Sequence, residues 1–572
     1  MKYAHSPVLN ERLSSSRSRL VTLVMMAGFV ALAGRSLYLQ VFATGFLQKK
    51  GESRYERVIE TSATRGRILD RHNDALAVST PVKAVWAIPE DAKLAPAQLH
   101  QLAGLLEMDA GELNRKLAVS KEFVFLKRQI PPDTAARIAA LRLPGIHDQN
   151  EYRRYYPSGE MTAHMIGFTD VGDAGQEGVE LALNDILIGK SGSRRIIKDR
   201  RGQIVEDVES IRTPQKGRDV TLALDEKIQY LAYSQLKKAM QENRAKAGGV
   251  VVLDVKTGEV LALVNAPTYN PNNRARLAGA QLRNRAFTDT FEPGSTFKPF
   301  IAALALEKGK YRANTPINTA SGKMTIGPAT IHDTQAHGML TLAEVIQKSS
   351  NVGVAKVSLS FRPDEMWQMY SSLGFGAPLK LGFPGEVGGS LRPAKSWRPI
   401  EQATMSYGHG ISVTLIQMAR AYLVFARDGD LIPVSLLRAD TPPQAGAQIF
   451  SARTAQEVRT MLEMAVEPGG TAPKAQIPGY RVAGKTGTAR KPEGGVYVKK
   501  YVASFIGFAP ASEPRLIVAV MIDEPSADKY YGGDVAAPVF AGIMAGALRT
   551  LGVPQDVPLK PLIMAEAVKE DV

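Results

Sequence analysis

Three short strings, far apart in the chain, each set a hydroxyl beside an amine or an amide: Ser295-Thr296-Phe297-Lys298, Ser349-Ser350-Asn351 and Lys485-Thr486-Gly487-Thr488. A serine hydroxyl is a poor nucleophile until a base takes its proton. An amine can be that base only when uncharged, a state that burial or a neighbouring cation enforces. Ser295 and Lys298 supply such a pair, and Lys485 is the candidate cation. Ser349 could relay a proton to a leaving group while the Asn351 amide holds a substrate peptide group. Lys485 and Thr486 could bind an anionic terminus, and Gly487 would let a substrate backbone approach a strand closely. The backbone N–H groups of Ser295 and Thr488 could then form an oxyanion hole. Each string alone also has a plain reading: a helix cap with a surface lysine, a polar helix end, a β-turn with a basic rim. Taken together and in this order, they describe a serine acyl-transfer site.

The surrounding sequence must position these groups. Glu292-Pro293-Gly294-Ser295 runs into Phe297, Phe300, Ile301, Leu304 and Leu306, so Ser295 sits where a turn becomes a buried helix. Lys298 then lies one turn on along the same face. Thr341-Leu342-Ala343-Glu344 is a capping-box pattern, predicting a helix that delivers Ser349, Ser350 and Asn351 near its C-terminal end. The apolar Tyr480-Arg481-Val482-Ala483 predicts a strand leading into Lys485. Residues 249–264 are β-branched and broken by Lys256-Thr257-Gly258, which predicts a hairpin. Strands over 501–508 and 516–522 and a closing helix over 536–551 complete an antiparallel sheet covered by helices, an α+β domain.

Asp219 to Leu224 reads as the first strand of that domain. Asp225 follows as an N-cap, with Ile228, Leu231, Ala232 and Leu236 on one buried helix face. Upstream, Thr64 to Arg71 reads as a strand entered through a glycine turn, residues 94–119 as short helices, and 206–219, with Pro214 and Gly217, as a hinge. The predicted organisation is a cytoplasmic tail (1–19), a membrane anchor (20–42), a pedestal domain without a nucleophile motif (43–218), the acyl-transfer domain (219–553) and a loose tail (554–572).

At 572 residues, with 44% hydrophobic and 22% charged residues, the chain reads as an ordinary globular protein of more than one domain. It has no cysteine, which excludes disulfides, thiolate metal sites and cysteine nucleophiles. The site as read needs no metal and no cofactor. The net charge of +15 is spread along the chain, and no nucleic-acid recognition module accompanies it. Leu20 to Phe42 is apolar apart from Arg35 and a few small polar residues, and as a helix would span roughly 34 Å, enough for a bilayer core. A cleaved signal peptide is the competing reading, with Ala31-Leu32-Ala33 as the cleavage site. Apolar residues continue past it through Leu37, Tyr38, Leu39, Val41 and Phe42, which favours an uncleaved anchor. Lys2, Arg12, Arg17 and Arg19 balance Lys49, Lys50, Arg54 and Arg57, so charge alone does not orient the span. Arg35 would reach towards the outer interface or meet a partner's membrane helix.

With the three strings, the chain resembles the class B penicillin-binding proteins over nearly its whole length. The resemblance is carried further by Arg65-Gly66-Arg67-Ile68-Leu69-Asp70-Arg71, by Tyr155-Tyr156-Pro157 with Ala163-His164 and Gly167, and by the anchor. Within that class it is most similar to the septal, FtsI-type enzymes, through Gly175-Gln176-Glu177-Gly178-Val179-Glu180, residues 198–203, and Tyr407-Gly408-His409-Gly410-Ile411-Ser412. One departure is Arg71-His72-Asn73-Asp74, where the family usually has a glycine; Asn and Asp also tolerate left-handed turns.

The resemblance implies an inner-membrane, single-pass D,D-transpeptidase with an elongated pedestal and a periplasmic penicillin-binding, β-lactamase-like domain. It would cross-link peptidoglycan stem peptides at the septum. Ser295 would attack the D-Ala-D-Ala amide, with Lys298 as base, Ser349 as relay and Asn351 as clamp, while Lys485 and Thr486 recognise the carboxylate. β-Lactams would acylate the same serine. Tyr531, in Tyr530-Tyr531-Gly532-Gly533, would belong to an aromatic loop near the cleft, or to a plain surface turn. The resemblance also implies divisome partners, among them a multi-pass, FtsW-like SEDS glycosyltransferase to make the glycan strands.

Alternatives come from neighbouring classes. A class A β-lactamase needs a Glu in an E-x-x-x-N string after the second motif, and Asn351 is the last asparagine in the chain. A bifunctional synthase would show a paired-acid glycosyltransferase motif, which residues 43–220 lack. An elongation-type transpeptidase and a non-enzymatic penicillin sensor or divisome scaffold share all three strings.

Overall fold

The structure, a computed structural model, describes residues 14–46, 56–118, 123–198, 204–275, 277–441, 443 and 445–558. The described chain divides into two compact units. The first comprises the residues up to Ala63, Val82–Glu151 and Lys190–Gln215; the second comprises Thr64–Pro81, Tyr152–Gly189 and the chain from Lys216 onward.

In the first unit, α1 (Ser15–Leu37) continues through a π-helical turn at Tyr38–Phe42, so the apolar helix starts earlier than Leu20. Among the described residues it is the one helix long and apolar enough to cross a membrane. The Arg35 guanidinium lies over the Tyr38 ring, 5.3 Å from its centroid. Strands Glu56–Thr61, Gly192–Lys198 and Ile204–Arg212 form an antiparallel sheet. The predicted hinge over 206–219 is therefore strand as far as Arg212. Helices Pro96–Leu105 and Ala110–Leu117 occupy the predicted helical stretch and bury Leu102, Ala103 and Leu113. The string Lys198-Asp199-Arg200-Arg201-Gly202-Gln203 falls outside the described residues after its first member.

The second unit is built on an antiparallel five-stranded sheet. Its strands are β1 (Ala247–Asp254), β2 (Val260–Ala266), β3 (Ala483–Glu493), β4 (Val496–Ala509) and β5 (Leu516–Asp523), in the order β2-β1-β5-β4-β3. Every residue of β1 is buried, because helices cover both faces. Val250 and Val252 point into a core shared with α2 (Glu226–Glu242) and the closing helix Ala537–Thr550. Val251 and Leu253 point into a second core with Lys298–Glu307 and Leu415–Ala421. This alternation follows from the two-residue period of a strand. Asp225 caps α2, accepting from the N–H groups of Lys227 and Ile228.

Where Thr64 to Arg71 was expected to be strand, regular pairing is confined to Ile68–Leu69, and in the Asp219 to Leu224 stretch to Val220–Thr221, which pairs with it in parallel. Arg65 is instead a buried polar anchor. Its guanidinium donates to Glu180 at 2.7 Å, and Arg154 donates to the other Glu180 oxygen at 2.6 Å. Asn73 supplies the left-handed turn at φ +70, where the family usually has glycine. The predicted C-terminal tail is not loose at its start, because Val557 N–H bonds Gly479 C=O and Asp556 accepts from Arg481 N–H at 2.8 Å. Residues 559–572 of that tail, and 1–13 of the N-terminal tail, lie outside the described residues.

Candidate active site

Ser295 lies in a 3-10 turn, Gly294–Phe297, that runs directly into α3 (Lys298–Glu307). The turn is fixed from beneath. Phe297 packs against Phe300, Tyr370 and Phe375 with ring centroids 4.8–5.4 Å apart. Tyr422 O–H donates to Thr296 C=O at 2.7 Å, and Thr296 O–H donates to Pro293 C=O at 2.7 Å. Ser295 itself is half-buried.

The capping box at Thr341 forms, and α4 (Leu342–Gln347) starts there, but the helix does not reach the second string. It stops, Ser349 takes a left-handed backbone at φ +59, and Ser350 caps a new helix, α5 (Asn351–Ser358), by accepting from Gly353 N–H. The break turns Ser349 towards the nucleophile helix. Lys298, fully buried, donates to Ser349 Oγ at 3.0 Å and to Ser349 C=O. A neutral amine has two N–H groups and one lone pair. With both N–H groups engaged by Ser349, the lone pair is left to act as a base. Burial and the nearby Lys485 cation hold the Lys298 amine well below its ordinary 10.5, against the opposing pull of Asp333.

Asp333 is the residue that sequence reading missed. Its carboxylate accepts from Ser350 O–H at 2.6 Å and Val352 N–H at 2.9 Å, fixing the break between α4 and α5. No motif marks it; the available signal was a buried Ser350 whose hydroxyl required a partner. The Asn351 amide donates to His332 C=O at 2.8 Å, which holds the side chain beside the same segment.

Lys485 is fully buried on β3, and burial pulls its amine down to about 7. It donates to Thr486 Oγ1 at 3.2 Å, and Thr486 exchanges a hydrogen bond of 3.0 Å with Thr471. A Cβ on Gly487 would meet Ser504 Oγ at 2.3 Å and Pro293 C=O at 2.8 Å. Glycine is thus demanded by Ser504, its partner on the adjacent strand, and by the nucleophile turn, which together pack where a side chain would go. Gly294 approaches the same strand from the other direction, and a Cβ on it would lie 3.6 Å from Thr488 N. Thr488 Oγ1 accepts from Gly532 N–H at 3.0 Å, which ties the Tyr530-Tyr531-Gly532-Gly533 loop to β3. Tyr530 stacks on Tyr501 at 4.2 Å and leans on Tyr531 at 4.5 Å, leaving Tyr531 46% exposed.

The site therefore joins Lys298 to Ser349 through one buried amine, one turn along the helix that Ser295 opens, sets the Lys485 amine within electrostatic reach, and places the Gly487 backbone against the Ser295 turn. Among the described residues there is no cluster of His, Asp and Glu that could hold a metal ion. Residues 248–545 match the family model "Penicillin binding protein transpeptidase domain", and residues 60–222 match "Penicillin-binding Protein dimerisation domain". The chain belongs to the penicillin-binding protein transpeptidases. Two relatives within the family match it nearly end to end. The "Probable peptidoglycan D,D-transpeptidase PenA" of Neisseria gonorrhoeae is 46% identical over 97% of this chain and 96% of its own length. The "Peptidoglycan D,D-transpeptidase FtsI" of Escherichia coli K12 is 43% identical over 92% of this chain and 90% of its own. A solved apo TP domain of Burkholderia pseudomallei penicillin-binding protein 3 superposes with a TM-score of 0.55 at 49% identity, covering 59% of this chain and 98% of that one. As a class B penicillin-binding transpeptidase, the chain is a serine acyl-transfer enzyme in which a dimerisation-type region precedes the catalytic domain.

Proposed function

We propose that this transpeptidase cross-links peptidoglycan stem peptides at the division septum, anchored in the inner membrane with its catalytic domain in the periplasm. The observation that carries the chemistry is the buried Lys298 amine, donating twice to Ser349 and held below its ordinary pKa one turn after Ser295. Ser295 Oγ attacks the carbonyl between two D-alanines as Lys298 takes its proton. The developing oxyanion meets the N–H groups of Ser295 and Thr488, and the terminal carboxylate meets Lys485 and Thr486. The C–N bond breaks, and the proton passes from Lys298 through Ser349 to the departing D-Ala amine. An amine from a neighbouring strand then attacks the ester, Ser295 recovers its proton, and the cross-link forms. Asn351 steadies the substrate peptide, and Tyr531 lines the cleft.

A β-lactam presents the same carbonyl beside a carboxylate but cannot release its leaving group, so it remains on Ser295. Incubating the full chain in detergent with fluorescent penicillin, followed by peptide mapping, should place one label on Ser295. An unlabelled protein, or one labelled elsewhere, would sink the acyl-transfer reading. The septal role rests on the FtsI name of relatives and on the resemblance of 175–180 and 407–412. Depletion should give filamentous cells, and round cells would instead assign the enzyme to elongation. A transpeptidase without a polymerase of its own needs strands made elsewhere, so the partner is a multi-pass membrane glycosyltransferase of the FtsW-like kind.

A further inference from the structure

Glu292 stands three residues before Ser295, outside the three strings, and its carboxylate joins three segments. Oε1 accepts from Gly410 N–H at 2.8 Å and from Tyr497 O–H at 3.0 Å, and Oε2 lies 3.1 Å from the same hydroxyl. The 407–410 loop is already fixed to the nucleophile turn by backbone. Phe291 and Val413 exchange N–H···O=C bonds of 3.0 Å, and Gly408, at φ +80, lies so close to Gly294 that a Cβ would come within 2.4 Å of its carbonyl oxygen. Tyr497 comes from elsewhere, on β4 near the tip of the β3–β4 hairpin. The ladder of that hairpin is interrupted between Arg490 and Pro492, and Tyr497 pairs with Pro492 on the tip side of the interruption. The tip therefore lacks continuous support from its own ladder. It is held by the Glu292 bond and by His409, whose ring stacks on Tyr497 at 5.6 Å and meets Tyr407 edge-on at 5.1 Å.

We propose that Glu292 is a positioning residue, a latch that holds the β3–β4 hairpin tip against the nucleophile turn and so sets the approach of the substrate-binding face of β3 to Ser295. The inference rests on the acyl-transfer reading of that site. A carboxylate suits the role because it accepts from a backbone N–H and a phenol together, and such charge-assisted bonds are short and directional. Burial and the Glu292 charge raise the Tyr497 phenol above its ordinary 10.0, so it remains a donor. Tyr497 is 44% exposed, so losing its hydroxyl removes the bond without opening a core.

The test uses the full chain in detergent, with the second-order rate of fluorescent-penicillin acylation and amide hydrogen exchange over residues 493–497 as separate readouts. Tyr497→Phe, which keeps the ring stack on His409, should lower the acylation rate about fivefold, leave the thermal midpoint unchanged and speed exchange at the tip. Glu292→Ala should match it. The double variant should be no slower than Glu292→Ala, because both changes break one latch. Glu292→Gln, whose amide oxygen still accepts, should stay close to wild type. Tyr497→Phe acylating and exchanging like wild type would overturn the latch, as would single losses that multiply in the double variant. Should Glu292→Ala fail to fold, Tyr497→Phe alone decides. A wild-type chain that takes no label at all would count against the acyl-transfer reading instead, and the exchange measurement would still judge the latch.

Discussion

Lys298 and Lys485 are two amines in one buried site, and a chain does not bury two like charges without lowering the affinity of both for protons. For Lys485 the sign is definite. Its amine titrates near 7 when folded and near 10.5 when free, so the unfolded chain binds more protons between those values. Stability should therefore rise with pH from about 7 to about 10.5, by up to about 1.4 kcal/mol per pH unit from this residue. Thermal midpoints of wild type and Lys485→Met across that window check it, and the variant should show the shallower slope. The same depression supports the proposed base role of Lys298, and Lys298→Ala should lower penicillin acylation by about 10²–10⁴-fold, measured as the labelling rate. That Lys298 is the base candidate was legible from its spacing to Ser295. That Asp333 holds the neighbouring break was not, because a carboxylate seventeen positions from its hydroxyl partner leaves no local pattern.

Among the elements, the contact between β3 and the nucleophile turn decides whether the strings become one site. Gly487 lies at that contact, with Ser504 Oγ and Pro293 C=O both inside the reach of a methyl group. Gly487→Ala should push the strand from the turn, cost about 1–3 kcal/mol as overpacking does, and slow acylation more than it lowers the thermal midpoint. Equal acylation by variant and wild type would show that the contact does not govern the site. The sequence singled out Gly487, but for the approach of a substrate; the close neighbour in the structure is the chain itself. The capping box at Thr341 was equally legible, since Thr and Glu three apart satisfy each other locally. The stop before Ser349 was not, because the left-handed backbone there is held by Lys298 and the Asp333 bonds, which come from other segments.

Over the whole molecule, the unit that holds the site draws in two stretches from the region before the catalytic domain, Thr64–Pro81 and Tyr152–Gly189. Glu180 binds them together, fully buried between Arg65 and Arg154. Glu180→Ala would leave two guanidinium groups buried without their anion, a change that costs about 3–5 kcal/mol. Denaturant or thermal unfolding should show that loss in full. If stability hardly moved, the cluster would be incidental to the fold. The cluster was invisible in sequence because Glu180 stands 115 positions from Arg65 and 26 from Arg154, and its geometry arises only when those segments pack.

By itself the sequence determined the candidate nucleophile and base, the second lysine of the site, the long apolar helix and the helix-covered antiparallel sheet. Each is written in local spacing: a turn running into an apolar helix, a two-residue alternation, a long apolar run. Only the tertiary structure decided how these meet. It breaks the helix at Ser349, supplies Asp333, fills the space beside Gly487 with the nucleophile turn, and ties Glu292 to Tyr497. Those are contacts between segments distant in sequence, and burial together with the neighbouring Lys485, not spacing, lowers the proton affinity of the Lys298 amine.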